Sequence, residues 1–136
     1  MNKIFFATQF MPLFDYDACK SMYLKNQEKL DDSSDFNSVL SNSLFFSFYD
    51  NQGLIGCIYF YLKSDKLFCN AFARRKSHQI VLKCFDFSLK CFVCDIYAFS
   101  KNKPAVFVLL KSGFKKLGEN LFFLPYNPNR TGAVQD

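Results

Sequence analysis

Residues 43 to 72 hold three apolar runs, SLFFSFY (43 to 49), LIGCIYFYLK (54 to 63) and LFCNAF (67 to 72), parted only by DNQG and SDK. Runs this rich in Phe, Tyr, Ile and Leu, bounded by turn residues, predict β-strands, and connections this short make neighbouring strands antiparallel. The runs are apolar at successive positions, so both faces of the resulting meander need cover. A chain of 136 residues with 50% apolar content can supply that cover for one core. A single domain is therefore expected over residues 1 to 124, with a polar tail over 125 to 136.

The cover comes from segments on either side. Residues 3 to 8, KIFFAT, predict a first strand. From residue 9 to 25 the positions Phe10, Leu13, Phe14, Ala18 and Met22 recur at helical spacing, with Pro12 tolerated in a first turn. Residues 26 to 42 are the most polar stretch and predict a connection holding one short helix, a natural place for a substrate-facing loop. After the meander, Gln79, Lys83, Asp86 and Lys90 form one polar stripe on an otherwise apolar helix over 79 to 92. VCDIYAFS (93 to 100) predicts a further strand. A second buried helix follows over 102 to 112, with Pro104 in its first turn and Gly113 at its end. FKKLGENLFFLPY (114 to 126) completes the pattern as a strand or hairpin. The order predicts an α+β fold in three layers, a mixed and mostly antiparallel central sheet with helices on both faces.

Charge and cysteine usage narrow the function classes. The net charge of +5 is spread along the chain, which favours a local anion site over a nucleic-acid groove. Of the six cysteines, nearly all lie inside apolar runs, as reduced core thiols do, and this predicts a cytoplasmic setting. The Cys91-Phe-Val-Cys94 pair has no second pair to complete a zinc site and ends a helix instead of opening one, so no metal is expected. No secretory signal and no apolar run of about 18 residues is present, so no membrane association is expected.

One stretch is charged where the pattern is otherwise apolar: FARRKSHQIV, residues 72 to 81. Arg74, Arg75 and Lys76 stand directly before a predicted helix, whose unpaired N–H groups and positive dipole end attract an anion. Ser77 caps that helix or gives its hydroxyl to a phosphate, and His78 is the one side chain titrating near neutrality. The alternative is a solvated cationic turn.

The element order, together with N102-K-P-A-V-F-V-L-L-K-S-G-F114, resembles the GNAT superfamily of acyl-CoA-dependent N-acyltransferases. In that family an Asn opens the last helix and a Gly-Phe step leads into the last strands. The resemblance spans residues 1 to 124 and is carried mainly by the half after Leu67. It implies an acetyl-CoA site between splayed fourth and fifth strands, with pantetheine along residues 68 to 72, ending at Phe72. Pyrophosphate would rest on Arg74, Arg75, Lys76, Ser77, His78 and Gln79, and Asn102 either helps fix the cofactor or acts as a helix N-cap. An amine acceptor would enter beside residues 26 to 42.

The sequence departs from the family's pattern at two points. Ser77 and Gln79 stand where the family's pyrophosphate loop has small residues, and Leu109 stands where it commonly has a Tyr acid. The resemblance leaves Asp95 as candidate base and Tyr97 as candidate acid, each with a plain structural alternative. Two functions follow: an N-acetyltransferase acting on a CoA thioester and an amine, or a non-catalytic binding or structural protein of the same fold. A phage virion component, with its tail holding a protein partner, exemplifies the second.

Overall fold

The computed structural model describes residues 3–30, 32–74 and 78–128, without the side chain of His78. Its elements run β1 (Phe5–Thr8), α1 (Tyr16–Leu30), α2 (Phe36–Ser41), β2 (Leu44–Asp50), β3 (Gly53–Lys63), β4 (Lys66–Ala73), α3 (His78–Leu89), β5 (Ile96–Phe99), α4 (Lys103–Lys111), β6 (Lys115–Gly118) and β7 (Leu121–Leu124). The seven strands form one sheet in the order β1-β2-β3-β4-β5-β7-β6. Only the β4–β5 pairing is parallel. The α+β architecture read from the sequence is the one observed.

The meander is built as its turns require. Ser64 and Asp65 close β3 onto β4 with φ of 53° and 62°, the left-handed values a tight hairpin needs. On one face Cys19, Tyr23 and Leu30 of α1, with Phe36 and Val39 of α2, pack on Phe45, Cys57, Tyr59 and Phe72. On the other, Phe85, Leu89 and Leu109 from α3 and α4 pack on Phe46, Phe60, Cys69 and Ala98. The polar stripe of α3 is exposed at all four expected positions, and Lys90 and Asp86 pair across one turn at 3.2 Å.

The first helix differs from its sequence reading. Residues after β1 make two tight turns, with Met11 N–H donating to Thr8 O at 3.0 Å and Phe14 N–H to Met11 O at 3.1 Å. Asp15 then accepts from Ala18 N–H at 3.1 Å, so helix α1 starts there and runs on to Leu30. A side-chain cap outweighed the apolar spacing that places a helix from residue 9. Phe10 and Leu13, read as apolar positions of that helix, are consequently outside it and 79% and 68% exposed. Residues 26 to 30, read as part of the connection, are instead the end of α1.

Candidate active site

Strands β4 and β5 pair at three positions only, Leu67↔Ile96, Phe68↔Tyr97 and Cys69↔Ala98. Beyond them each strand follows its outer neighbour. Strand β4 keeps its register with β3 to Ala73, and Arg74 N–H extends it by donating to Ile55 O at 2.9 Å. Strand β5 keeps its register with β7, and Ser100 N–H donates to Asn120 O at 2.9 Å. The two strands are drawn apart and the sheet opens between them.

A cavity of about 560 Å³ occupies this opening. It reaches α1 through Asn26 and Lys29, β4 through Asn70 and Ala71, and α4 through Ala105 and Val108. The wall is mostly apolar with a few polar groups, as small-molecule sites are. Because backbone groups alternate sides along a strand and Arg74 faces β3, Ala71 and Ala73 turn theirs toward β5 and, past Cys69, into the opening. Gly56 lets β3 and β4 stay this close: a Cβ there would lie 2.7 Å from Phe72 O and 2.8 Å from Ala73 Cβ.

The residues singled out in the sequence distribute unevenly around this cavity. Phe72, Arg74 and Asn102 line it. The Phe72 ring is packed against Tyr23 and Phe45 at centroid distances of 5.9 and 6.2 Å. Asn102 is the N-cap of α4, its Oδ1 accepting from Ala105 N–H at 3.4 Å, with Pro104 inside the first turn. Gln79 is exposed on the first turn of α3, which His78 begins. Arg75, Lys76 and Ser77 lie outside the described residues.

Asp95 and Tyr97 are not brought to the cavity. Asp95 is exposed before β5, at the end away from the opening, and its Oδ1 accepts from Tyr126 N–H at 2.7 Å. Tyr97 sits beside Phe68 and Phe123, with ring centroids 5.6 and 5.0 Å away. Their assignment rested on position along a strand; the strand ends at which the sheet opens are the opposite ones.

Arg74 is held in place by Asp50, at the end of β2. The Arg74 Nη1 donates to Asp50 Oδ1 at 3.2 Å, and Nη2 contacts Oδ2. The Asp50 side chain is 1% exposed, and Gln52 N–H donates to its Oδ1 at 2.9 Å. Hydrogen bonding from Arg74 holds the Asp50 carboxyl below the usual carboxylate range. A depressed folded-state value means that the pair contributes fully at neutral pH and its contribution is lost as pH falls through that value. Arg74→Met is accordingly expected to lower stability at neutral pH and to flatten the loss of stability on acidification, measured by urea unfolding between about pH 7 and pH 3.

Three thiols line the cavity, Cys57, Cys69 and Cys84, and all three are buried. Burial raises Cys69 to about 12 and Cys84 to about 11, so both stay protonated near neutrality.

Sequence reading missed a polar chain on the α1 side of the opening. Asn70 Nδ2 donates to Tyr59 Oη at 3.1 Å and to Leu30 O at 3.4 Å, and Tyr59 Oη donates to Asp32 Oδ2 at 2.8 Å. The available signal was a lone Asn inside the apolar run LFCNAF.

No protein-family model matches the sequence, and no curated protein matches it by sequence. Solved structures do match its fold. The ribosomal-protein-alanine N-acetyltransferase of Escherichia coli superposes with a TM-score of 0.62 at 15% identity, covering 93% of this chain and 95% of that one. Mycobacterium smegmatis RimJ, solved with CoA-disulfide, gives 0.60 at 17% identity over 82% and 77%. Campylobacter jejuni N-acetyltransferase PseH, solved with acetyl coenzyme A, gives 0.56 at 17% identity over 92% and 100%. Among the described residues no helix is long and apolar enough to cross a membrane. With its parted β4 and β5 and helices on both faces, this chain has the fold of the GNAT N-acetyltransferases.

Proposed function

We propose that the protein is an acetyl-CoA-dependent N-acetyltransferase acting on an amine. The observation that carries this reading is the cavity of about 560 Å³ held open where β4 leaves β5. Its fit to the donor is physical: Ala71, Ala73, Ala98 and Ala105 keep the wall low, and the backbone edge of β4 faces the space. Two of the fold relatives were solved with acetyl coenzyme A or a CoA derivative bound. The open cavity favours this reading over a purely structural role, for which no such space is needed.

When bound, acetyl-CoA supplies a thioester whose carbonyl carbon takes the amine nitrogen. The protein's part is positional. Ala73 offers its backbone N–H, and Ala71 and Ala73 their C=O groups, to the pantetheine amides, and residues 74 to 79, where α3 begins, receive the pyrophosphate. Asn102 and Ser100 border the cavity at the end of β5. Transfer is direct between the two substrates, and burial of Cys57, Cys69 and Cys84, which favours their protonated form, supports that route.

The test is a thermal or calorimetric titration with acetyl-CoA. Ligand at a hundredfold excess over its dissociation constant is expected to stabilise the fold by about 2.7 kcal/mol. No stabilisation at millimolar acetyl-CoA would overturn the assignment.

A further inference from the structure

We propose that Asn70 orients the acceptor amine through its carboxamide oxygen, and that the site consequently takes amines in their neutral form, α-amines in preference to alkylammonium groups. This inference rests on the acetyltransferase reading and adds the acceptor class to it.

Three neighbours set which way the Asn70 amide faces. Leu30 O can only accept, so it requires the NH₂ end. Tyr59 Oη has a single hydrogen, given to Asp32 Oδ2 at 2.8 Å, so toward Asn70 it also accepts. Burial keeps the Tyr59 phenol protonated, its acidity pushed far below that of a free tyrosine. Ala71 N–H, on the side of β4 that faces the opening, requires the oxygen and meets it at 3.2 Å. Both N–H donors of Asn70 are thus committed, while its oxygen sits at the opening with a second lone pair. Asn70 lines the cavity, so that lone pair is offered where an acceptor approaches β4.

The rest of the chain holds this arrangement in place. Asp32 Oδ1 accepts from Ser34 N–H at 2.9 Å, which leaves its other oxygen on Tyr59. The Tyr59 ring is 2% exposed and stacks on Phe45 at 5.7 Å. Asn70 is therefore fixed from below by a buried hydroxyl and a carboxylate, neither of which lines the cavity.

A carboxamide oxygen accepts a hydrogen bond and takes up no proton. An amine held by it reacts as R–NH₂: the N–C bond forms as the C–S bond of the thioester breaks, the acetyl group passes to nitrogen, and the proton lost by nitrogen ends on the CoA sulfur. Lys29 lines the same cavity and opposes an entering ammonium, while the charge of Arg74 is met by Asp50. At pH 7.5 an α-amine of pKa about 7.8 is about one third neutral, whereas a lysine amine of pKa about 10.4 is about 0.1% neutral.

The experiment compares wild type, Asn70→Ala and Tyr59→Phe, using alaninamide and Nα-acetyl-lysinamide as acceptors and thiol release from acetyl-CoA as the rate. Wild type is expected to acetylate alaninamide on the order of a hundredfold faster at pH 7.5. Asn70→Ala should raise the KM for alaninamide about tenfold, and Tyr59→Phe should raise it by a smaller factor, with acetyl-CoA affinity little changed. The Asn70 side-chain amide signal in ¹⁵N NMR should move when alaninamide is added to the CoA-bound protein. Equal or greater rates with the lysine amine would overturn the acceptor class. If acetyl-CoA binds but alaninamide neither moves that signal nor shows a KM that depends on Asn70, the role of Asn70 is overturned while the acetyltransferase reading stands. If acetyl-CoA does not bind, the reading beneath it fails first.

Discussion

Phe45→Ala is expected to lower the unfolding free energy by about 3–5 kcal/mol, the range for removing a fully buried Phe. Phe45 is 0% exposed on β2. Its ring stacks on Tyr59 at 5.7 Å, meets Phe36 edge-on at 5.5 Å and Phe14 edge-on at 5.9 Å, and lies 6.2 Å from Phe72. It joins α2 and the segment before α1 to three central strands. Truncation removes these ring contacts and leaves a void that rings of fixed shape refill poorly. The control is Phe10→Ala, at 79% exposure, which should change stability by no more than about 0.5 kcal/mol. Guanidinium unfolding of both variants measures the difference. A loss at Phe45 under about 1 kcal/mol would show that the aromatic cluster repacks.

The second large effect belongs to Gly56. In an ordinary strand Gly→Val stabilises, because glycine is the poorer strand former. Here the opposite sign is expected. A Cβ at Gly56 falls 2.7 Å from Phe72 O and 3.0 Å from Ala73 Cα, both backbone atoms that move only if β4 moves. Gly56→Val should therefore cost about 3 kcal/mol through overpacking. It should also reduce the stabilisation by acetyl-CoA, since Phe72, Ala73 and Arg74 form one wall of the cavity. Gly56→Ala should shift both quantities the same way by less. Paired thermal melts with and without acetyl-CoA decide it, and a valine variant at least as stable as wild type would refute the close-approach argument.

The legible parts of the site and the illegible ones differ in kind. Asn102 as a helix N-cap, with Pro104 behind it and Gly113 at φ 99° after the helix, was readable because capping is local chemistry. The charged stretch from Arg74 was readable as the lead-in to a helix, and α3 does begin at His78. The partner of Arg74 was not readable. Asp50 lies 24 residues earlier, at the far end of β2, and the register of two hairpins decides their meeting. Asp32 and Asn70 come together the same way, through Tyr59, across a helix end and two strands. Asp95 and Tyr97 illustrate the converse. Tyr97 sits on β5 and Asp95 just before it, at positions turned toward the Phe68 and Phe123 rings and toward Tyr126.

By itself, then, the sequence determined the elements and their order: three strands from residue 43 to 72, helices ending in caps and glycine, and enough apolar surface to cover both faces of one sheet. These follow from spacing, turn chemistry and composition, which act over a few residues. Only the tertiary structure decided that β4 and β5 part after Cys69 and Ala98, because each is held by a different outer neighbour. It likewise decided that Asn70 stands at the opening with Tyr59 and Asp32 behind it. Long-range strand register sets both outcomes, and no local pattern encodes it.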